Sequence, residues 1–463
     1  MHPQLATDLD HLPDLLEAVR KRTVGFLDGL AERPVVDLGA ALPVGGPLAG
    51  AGVGLERTLE EFAAEWEPAL SASAGPRYLG FVTGGATPAA LAGDWLTSAY
   101  DQNPNSSAEP AGQQLERQTL GWLRELFGLG PQHSGAFVSG ATMSNTTGLA
   151  IAREWLGEQL GVSPADQGVG VLGRVRVLSG SPHSSVGKAL SMLGLGRDAL
   201  IPVDRLAGRE AVDPAALERA LAAADGPCIV VANAGTVNSV DFDDLRALAA
   251  LKERYSFWLH VDGAFGAFAA LSPEHAHLVD GMDLADSLCI DLHKWLNVPY
   301  DSAVQFTRRP DLQARVFQNA AAYLGPLGDV PDFVHLTPEN SRRLRALPAW
   351  FTLRAYGRDG HREIVERCVA GARTLGAAVE AEPRLRLAAP VRLNVVCFTL
   401  TEAPTAQRLA ALAAAAAGEV FTTPTLYQGA PAVRAAFSNW RTGEEDAERI
   451  ARALIAAAAG LAD

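Results

Sequence analysis

The stretch ADSLCIDLHKWLNVPYDSA, residues 285–303, holds a short apolar run followed at once by a histidine and a lysine, His293 and Lys294, and then by Trp295. Residues 287–290 have the length and composition of a buried strand. A lysine at the end of such a strand is unusual, because burying an ammonium is costly. That cost is offset if the amine is held as a Schiff base with a carbonyl cofactor. A strand-end lysine also serves as an ordinary solvated charge, so the rest of the chain has to supply the partners that decide between the two.

Outward from this point, short apolar runs alternate with helical stretches between about 130 and 310. The runs at 135–138, 175–178, 228–232, 257–261, 287–290 and 303–307 read as strands. The stretches 142–156, 184–193, 214–223 and 243–255 read as helices. Such alternation predicts an α/β fold with a mainly parallel sheet, in which ligands bind at the carboxyl ends of the strands. Four features fall at those ends. SGATMSN (139–145) lies between a strand and a helix, where small residues, hydroxyls and a helix N-terminus suit a phosphate, though Ser and Thr also cap ordinary helices. His183, in SPHSSVGKAL, can stack on a flat aromatic cofactor or serve as a plain cap. Asp262, in WLHVDGAFGA, needs a cation or hydrogen bonds if buried; a protonated pyridine nitrogen would keep a ring an electron sink. Ala264 is small enough to lie under that ring. Lys294 follows Asp262 by one crossover, so both reach one crevice. A phosphate cradle, a stacking histidine, a pyridinium partner and a Schiff-base lysine together describe a site for pyridoxal 5′-phosphate.

The flanks are less specific. Residues 8–34 read as one helix ending near Arg33-Pro34, and 55–70 as a second; two helices alone bury little, so this segment is expected to pack on another subunit. Residues 112–128 read as a helix. Residues 310–341, with Gly325, Pro326, Gly328 and Pro331, read as a mobile loop. From Arg342 a long helix leads to a C-terminal lobe with strands at 393–400 and 433–439 and a closing helix at 444–461. The expected division is 1–75 as an N-terminal helical segment, 76–341 as a large cofactor domain and 342–463 as a small C-terminal α+β domain.

Composition narrows the function classes. The 463 residues are 48% hydrophobic and 20% charged, as in a globular protein. A net charge of -14 disfavours nucleic acid and anionic membranes as partners. Cys228, Cys289, Cys368 and Cys397 form no CxxC pair and read as small buried hydrophobes in a reducing compartment. The N-terminus lacks a signal pattern and no apolar run reaches membrane-spanning length, so a cytoplasmic protein is expected. No metal site is expected.

HVDGA, ADSLCIDLHKW and YDSA, with GFVTGGATPAALAGDW, PHSSVGKA, NAGTVNSVDFDD, SRRLRALPAWFTLRAYG and FSNWRTGEED, resemble the group II pyridoxal-phosphate-dependent amino acid decarboxylases, which act on aromatic amino acids, glutamate, histidine or diaminobutyrate. The resemblance covers nearly the whole chain. It implies PLP fold type I, the aspartate aminotransferase-like fold, and a homodimer with active sites at the interface. It also implies that Lys294 binds the cofactor aldehyde, His183 stacks on the ring and Asp262 pairs with the pyridine nitrogen. Ala141, Thr142 and His293 would contact phosphate, and Thr236 would lie near the ring oxygen. Tyr323 matches a loop tyrosine that returns a proton to the substrate carbon; phenylalanine there goes with aldehyde-forming chemistry. Asp291 stands where the animal aromatic enzymes have asparagine, and a second negative charge beside a phosphate is repelled, so it is given no phosphate contact. By the same resemblance, Phe81, Val82 and Thr83 form one substrate wall, and Gln102 and Asn103 of the partner form the other. The aromatic wall suits an aromatic amino acid; the polar one also admits glutamate, histidine or diaminobutyrate. Arg77 is read as a solvated loop charge or a cation for a substrate carboxylate.

Overall fold

The structure is a computed structural model that describes residues 1–105, 110–319 and 330–461. Its centre is a seven-stranded sheet of β1 (Ser134–Val138), β2 (Val177–Ser179), β3 (Leu200–Pro202), β4 (Cys228–Asn233), β5 (Phe257–Asp262), β6 (Ser287–Ile290) and β7 (Ala303–Thr307). The order is β1-β7-β6-β5-β4-β2-β3. β7 runs antiparallel to both neighbours and every other pairing is parallel. Helices cover the sheet, so β4 to β7 are buried along their whole length. This explains their near-continuous apolar runs. It also makes the polar exceptions, Asn233, His260, Asp262, Ser287, Gln305 and Thr307, stand out.

A second sheet, fully antiparallel, contains β8 (Leu385–Leu387), β9 (Val395–Leu400), β10 (Thr423–Tyr427) and β11 (Ala430–Ala436) in the order β10-β11-β9-β8. The strands predicted at 393–400 and 433–439 are β9 and β11. β3, β8 and β10 went unpredicted: all three are edge strands. Two are only three residues long, and β3 and β10 carry a proline that only an edge tolerates.

Several boundaries are corrected. The helix expected over 8–34 is two, Pro3–Asp10 and Leu12–Asp28, because Pro13 has no N–H to offer the carbonyl of Leu9. The helix expected over 55–70 ends at Glu65. The helix expected over 243–255 starts only at Leu245. Asp243 is instead a buried anchor, accepting the amides of Val212 and Asn233, each at 2.7 Å. Burial pushes its carboxyl up to about 6. The loop expected over 310–341 carries a helix, Pro310–Phe317, and a 3-10 turn, Phe333–His335. Its middle, with Tyr323, lies outside the described residues. At its end the guanidinium of Arg342 meets the carboxylate of Glu116 in a bidentate, fully buried pair at 2.7 and 2.8 Å.

The three N-terminal helices, Pro3–Asp10, Leu12–Asp28 and Leu55–Glu65, bury no residue within the chain. Leu5, Leu9, Leu12, Leu16, Val24, Phe62 and Trp66 are exposed. No described helix is long and apolar enough to cross a membrane. All four cysteines are buried and free.

Candidate active site

Lys294 sits on a single helical turn, Leu292–Trp295, directly after β6. The turn is held by the carbonyl of Ser302, which accepts the amides of Leu292 and His293 at 3.1 and 3.0 Å. Lys294 Nζ lies 3.7 Å from Asp291 Oδ2 and 5.5 Å over the ring of Phe265. The loop before residue 88 comes down on this turn. A Cβ on Gly84 would stand 1.8 Å from the Lys294 carbonyl oxygen, so only glycine permits the approach. Asn297, in the left-handed region at φ 57°, ties the parts together. Its carbonyl accepts the amide of Thr87, its side-chain oxygen accepts the amide of Trp440, and its side-chain amide donates to the Trp295 carbonyl.

Asp262 ends β5, next to β6. Its Oδ1 accepts the amide of Ala264 at 3.2 Å and its Oδ2 accepts Asn145 Nδ2 at 2.9 Å. His183 is the N-cap of the helix Ser184–Met192; its Nδ1 lies 2.8 Å from Ser185 Oγ and accepts the Ser185 amide at 3.2 Å. Burial holds the His183 imidazole below its ordinary protonation range. Asn145 Nδ2 also reaches Ser185 Oγ at 3.1 Å, so Asn145 and Ser185 in turn link Asp262 to His183.

At the other end, the helix Ala141–Leu160 begins at Gly140, where a Cβ would stand 3.3 Å from His293 Cε1. Thr142 lies on its first turn, half-buried. The amide of Ala141 donates to Asp291 Oδ2 at 3.2 Å. Asp291, unassigned in the sequence, thus caps this helix and lies between it and the Lys294 turn. Its Oδ1 is 3.1 Å from His293 Nδ1 but lacks hydrogen-bond alignment, and Ser302 Oγ is buried without a partner among the described residues.

Residues 55–401 match the family described as "Pyridoxal-dependent decarboxylase conserved domain". The chain belongs to the pyridoxal-dependent decarboxylase family. It is therefore a pyridoxal-phosphate-dependent carboxy-lyase of amino acids. The aromatic-L-amino-acid decarboxylase of Bacillus atrophaeus is 29% identical over 333 residues, 70% of this chain and 67% of that protein. The L-2,4-diaminobutyrate decarboxylase of Acinetobacter baumannii is 29% identical over 322 residues, 65% of this chain and 63% of that protein. The chain thus spans about two thirds of these relatives. The crystal structure of Oryza sativa TDC with PLP and tryptamine superposes with a TM-score of 0.87 at 23% identity, covering 97% of this chain and 98% of that one. That likeness shows the fold.

The decarboxylase's own residues fit pyridoxal phosphate. A 20-residue helix opens at a bare glycine beside His293; its Ala141 amide is taken by Asp291, which leaves the next amides of the first turn and the helix field for a phosphate. A buried carboxylate, Asp262, whose partners are N–H donors, suits a protonated ring nitrogen. Lys294, His293, Asp291, Ala141 and Ala264 form one connected group; Asp262 joins it through Ala264, whose amide it binds and whose carbonyl accepts the Asp291 amide.

Other predicted residues fall elsewhere. The Thr236 hydroxyl donates to Glu210 Oε2 at 2.6 Å, in a buried cluster with Ser239 and Asn238; among the described residues no hydrogen bond joins it to the Lys294 group. Phe81 is 59% exposed, but Val82 is turned into the core. Both lie in the left-handed region at φ 58°, a strained conformation for these side chains that marks functional loops. Thr83 Oγ1 bonds Tyr300 Oη at 2.8 Å. Gln102 bonds its own loop at the Tyr100 carbonyl, and Asn103 Oδ1 accepts the amide of Arg342. Arg77 is neither solvated nor facing a substrate. It is buried, and donates to the carbonyls of Glu419, Ala31 and Arg33 and to the Glu419 carboxylate.

Asn145, Ser185, Asn297 and Tyr300 were missed. Tyr300, also 59% exposed, is tilted against His293 with ring centroids 4.4 Å apart. Asn145 carried a signal: it lies one helical turn after Ala141, which puts it on the same face.

Proposed function

We propose that this decarboxylase converts an aromatic L-amino acid, of the tryptophan, tyrosine, DOPA or phenylalanine type, to its amine and CO2. The observation that supports the proposal is an aromatic rim of two exposed rings: Tyr300, tilted against His293 and bonded to Thr83, and Phe81, two residues before Thr83 and tilted against Phe421 at 6.0 Å. Arg77, the loop arginine that could have met an acidic side chain, is tied inward. The Bacillus relative and the tryptamine-bound Oryza structure support the same substrate class. The Acinetobacter relative supports the alternative, 2,4-diaminobutyrate, with glutamate and histidine as further members of that class.

When bound, pyridoxal phosphate supplies an electron sink for the pair released as the Cα–carboxylate bond breaks. In this proposal Lys294 holds the cofactor and yields it to the substrate amine. Ala141, Thr142 and His293 hold the phosphate end, His183 covers the ring and Asp262 keeps a negative charge at its nitrogen. Tyr323 returns the proton. The exposed apolar stripe of the N-terminal helices is covered by a second copy, and the wall of Gln102 and Asn103 comes from that copy.

A panel of the twenty amino acids plus DOPA, 5-hydroxytryptophan and diaminobutyrate, scored for CO2 and for amine, tests the substrate class. Turnover highest on an aromatic substrate supports it; turnover highest on diaminobutyrate, glutamate or histidine replaces it. Keto acid or aldehyde in place of amine makes the chain an aminotransferase or an aldehyde-forming enzyme instead. Sedimentation tests the second copy: a dimer is expected, and Leu16→Glu should drive it to monomer. A wild-type monomer with full turnover would refute the shared site.

A further inference from the structure

Beneath Asp262 and His183 lies a buried chain of side chains that the chemistry above does not use. Trp258 Nε1 donates to Ser287 Oγ at 2.9 Å, Ser287 Oγ meets His260 Nδ1 at 2.7 Å, and His260 Nε2 meets Asn145 Oδ1 at 2.9 Å. Asn145 then reaches Asp262 and Ser185 through its amide nitrogen. His260 and Asp262 alternate on β5 and so face the same side. Gly148 lets the helix lie close: a Cβ there would stand 2.6 Å from His260 Cε1. Trp258, His260, Asn145, Ser185, Asp262 and Ser287 are all buried.

The direction of every bond in this chain is determined. A carboxylate that already accepts the Ala264 amide presents acceptors, so Asn145 must turn its NH2 toward Asp262 and its oxygen toward His260. His260 Nε2 must then carry the hydrogen. Burial pulls the His260 imidazole down to about 4, so the ring is neutral and its Nδ1 is bare. Ser287 donates to that nitrogen and accepts from Trp258, which can only donate. On the other branch Asn145 spends its second N–H on Ser185 Oγ. The Ser185 hydroxyl is thereby turned to donate to His183 Nδ1, which the Ser185 amide also reaches. His183 carries its own hydrogen on Nε2.

We propose that Asn145 is a positioning residue that holds both ring-facing groups in one hydrogen-bonding state, keeping Asp262 an acceptor and His183 the Nε2–H tautomer, with His260 orienting Asn145. The proposal rests on the reading of Asp262 and His183 as cofactor-facing. It explains why a neutral histidine on β5 and an asparagine on the helix packed against it are fully buried, where apolar residues would cost less.

The test has a cofactor-free arm and a cofactor arm. In the protein without cofactor, side-chain nitrogen NMR at neutral pH is expected to show His183 and His260 each as the Nε2–H tautomer; the hydrogen on Nδ1 of either ring overturns the proposal. With pyridoxal phosphate bound, the pH midpoint of the visible absorbance band is read in variants. Asn145→Asp removes the donor without changing shape, and should move the midpoint by about one pH unit or more. His260→Gln keeps an N–H toward Asn145 and should leave the midpoint at its wild-type value; His260→Phe, which leaves the Asn145 oxygen unpaired, should move it. An unmoved midpoint in both folded Asn145→Asp and His260→Phe overturns the proposal. If Asn145→Asp does not fold, the His260 pair and the wild-type tautomers decide. A wild-type protein that shows both tautomers but binds no pyridoxal phosphate overturns the assignment of the site, not the network.

Discussion

The floor of the active site and its rim are built in opposite ways. On the floor, Asp262, Asn145, His260 and Ser287 are buried, and each is bonded within the chain. On the rim, Phe81 and Tyr300 stand exposed, and Leu5, Leu9, Leu16, Phe62 and Trp66 on the N-terminal helices do too. A floor closed within one chain makes cofactor chemistry independent of what surrounds it. An open rim leaves substrate choice and assembly to groups that are not yet in contact.

The largest expected effect breaks the floor. Lys294→Ala should lower CO2 release by more than about a thousandfold and remove the visible band of the bound cofactor. Retained band and retained turnover would mean that another amine carries the chemistry. Next is the buried ion pair. Glu116→Ala leaves Arg342 buried and unpaired and should cost about 3–5 kcal/mol in urea unfolding, whereas replacing both by apolar residues should recover most of it. A single-variant loss below about 1 kcal/mol would show that the pair is solvated.

A smaller effect separates the interior from the surface by pH. Burial holds His260 and His361 at about 4, below the ordinary 6.5. Unfolding frees them to bind protons, so the stability they contribute is present above pH 6.5 and is lost as pH falls toward 4. Asp243 opposes them: raised to about 6 from 3.8, it contributes stability at low pH that is lost as pH rises through 6. Two against one leaves a net uptake of roughly one proton on unfolding between pH 4 and 6. Chemical denaturation across that window should show stability falling with acid, and His361→Phe should flatten the slope. A slope of the opposite sign would put Asp243 in control. The smallest effect tests the rim alone. Tyr300→Phe removes the 2.8 Å bond to Thr83, worth about 1 kcal/mol. It should raise KM a few-fold with kcat nearly unchanged; a large fall in kcat would move Tyr300 from rim to chemistry.

The parts legible in the sequence were those written in local pattern. β6 and β7 were placed residue for residue because their runs are apolar, bounded by turns and buried on both faces. Lys294, Asp262 and His183 stand out in the sequence because each ends or follows such a run, and the structure puts them just where those strands end. Arg77 was misread because a charged residue in a Gly-rich stretch looks solvated. Only the fold brings the carbonyls of Ala31, Arg33 and Glu419 around its guanidinium. Asn145 and Tyr300 were missed because an asparagine within a helix and a tyrosine after a proline carry no mark of what they touch.

The order of strand ends, the identity of the residues on them and the cofactor those residues suit were settled by the chain's own pattern, since burial periodicity and chemical type are local properties. What the tertiary structure alone decided is how the ends meet. Asp291 closes the helix over the Lys294 turn, Asn145 joins Asp262 to Ser185, and Asn297 pins Thr87, Trp295 and Trp440 to one point. Most of those contacts join residues far apart in the chain, and a hydrogen bond depends on separations of a few ångströms that no sequence spacing encodes.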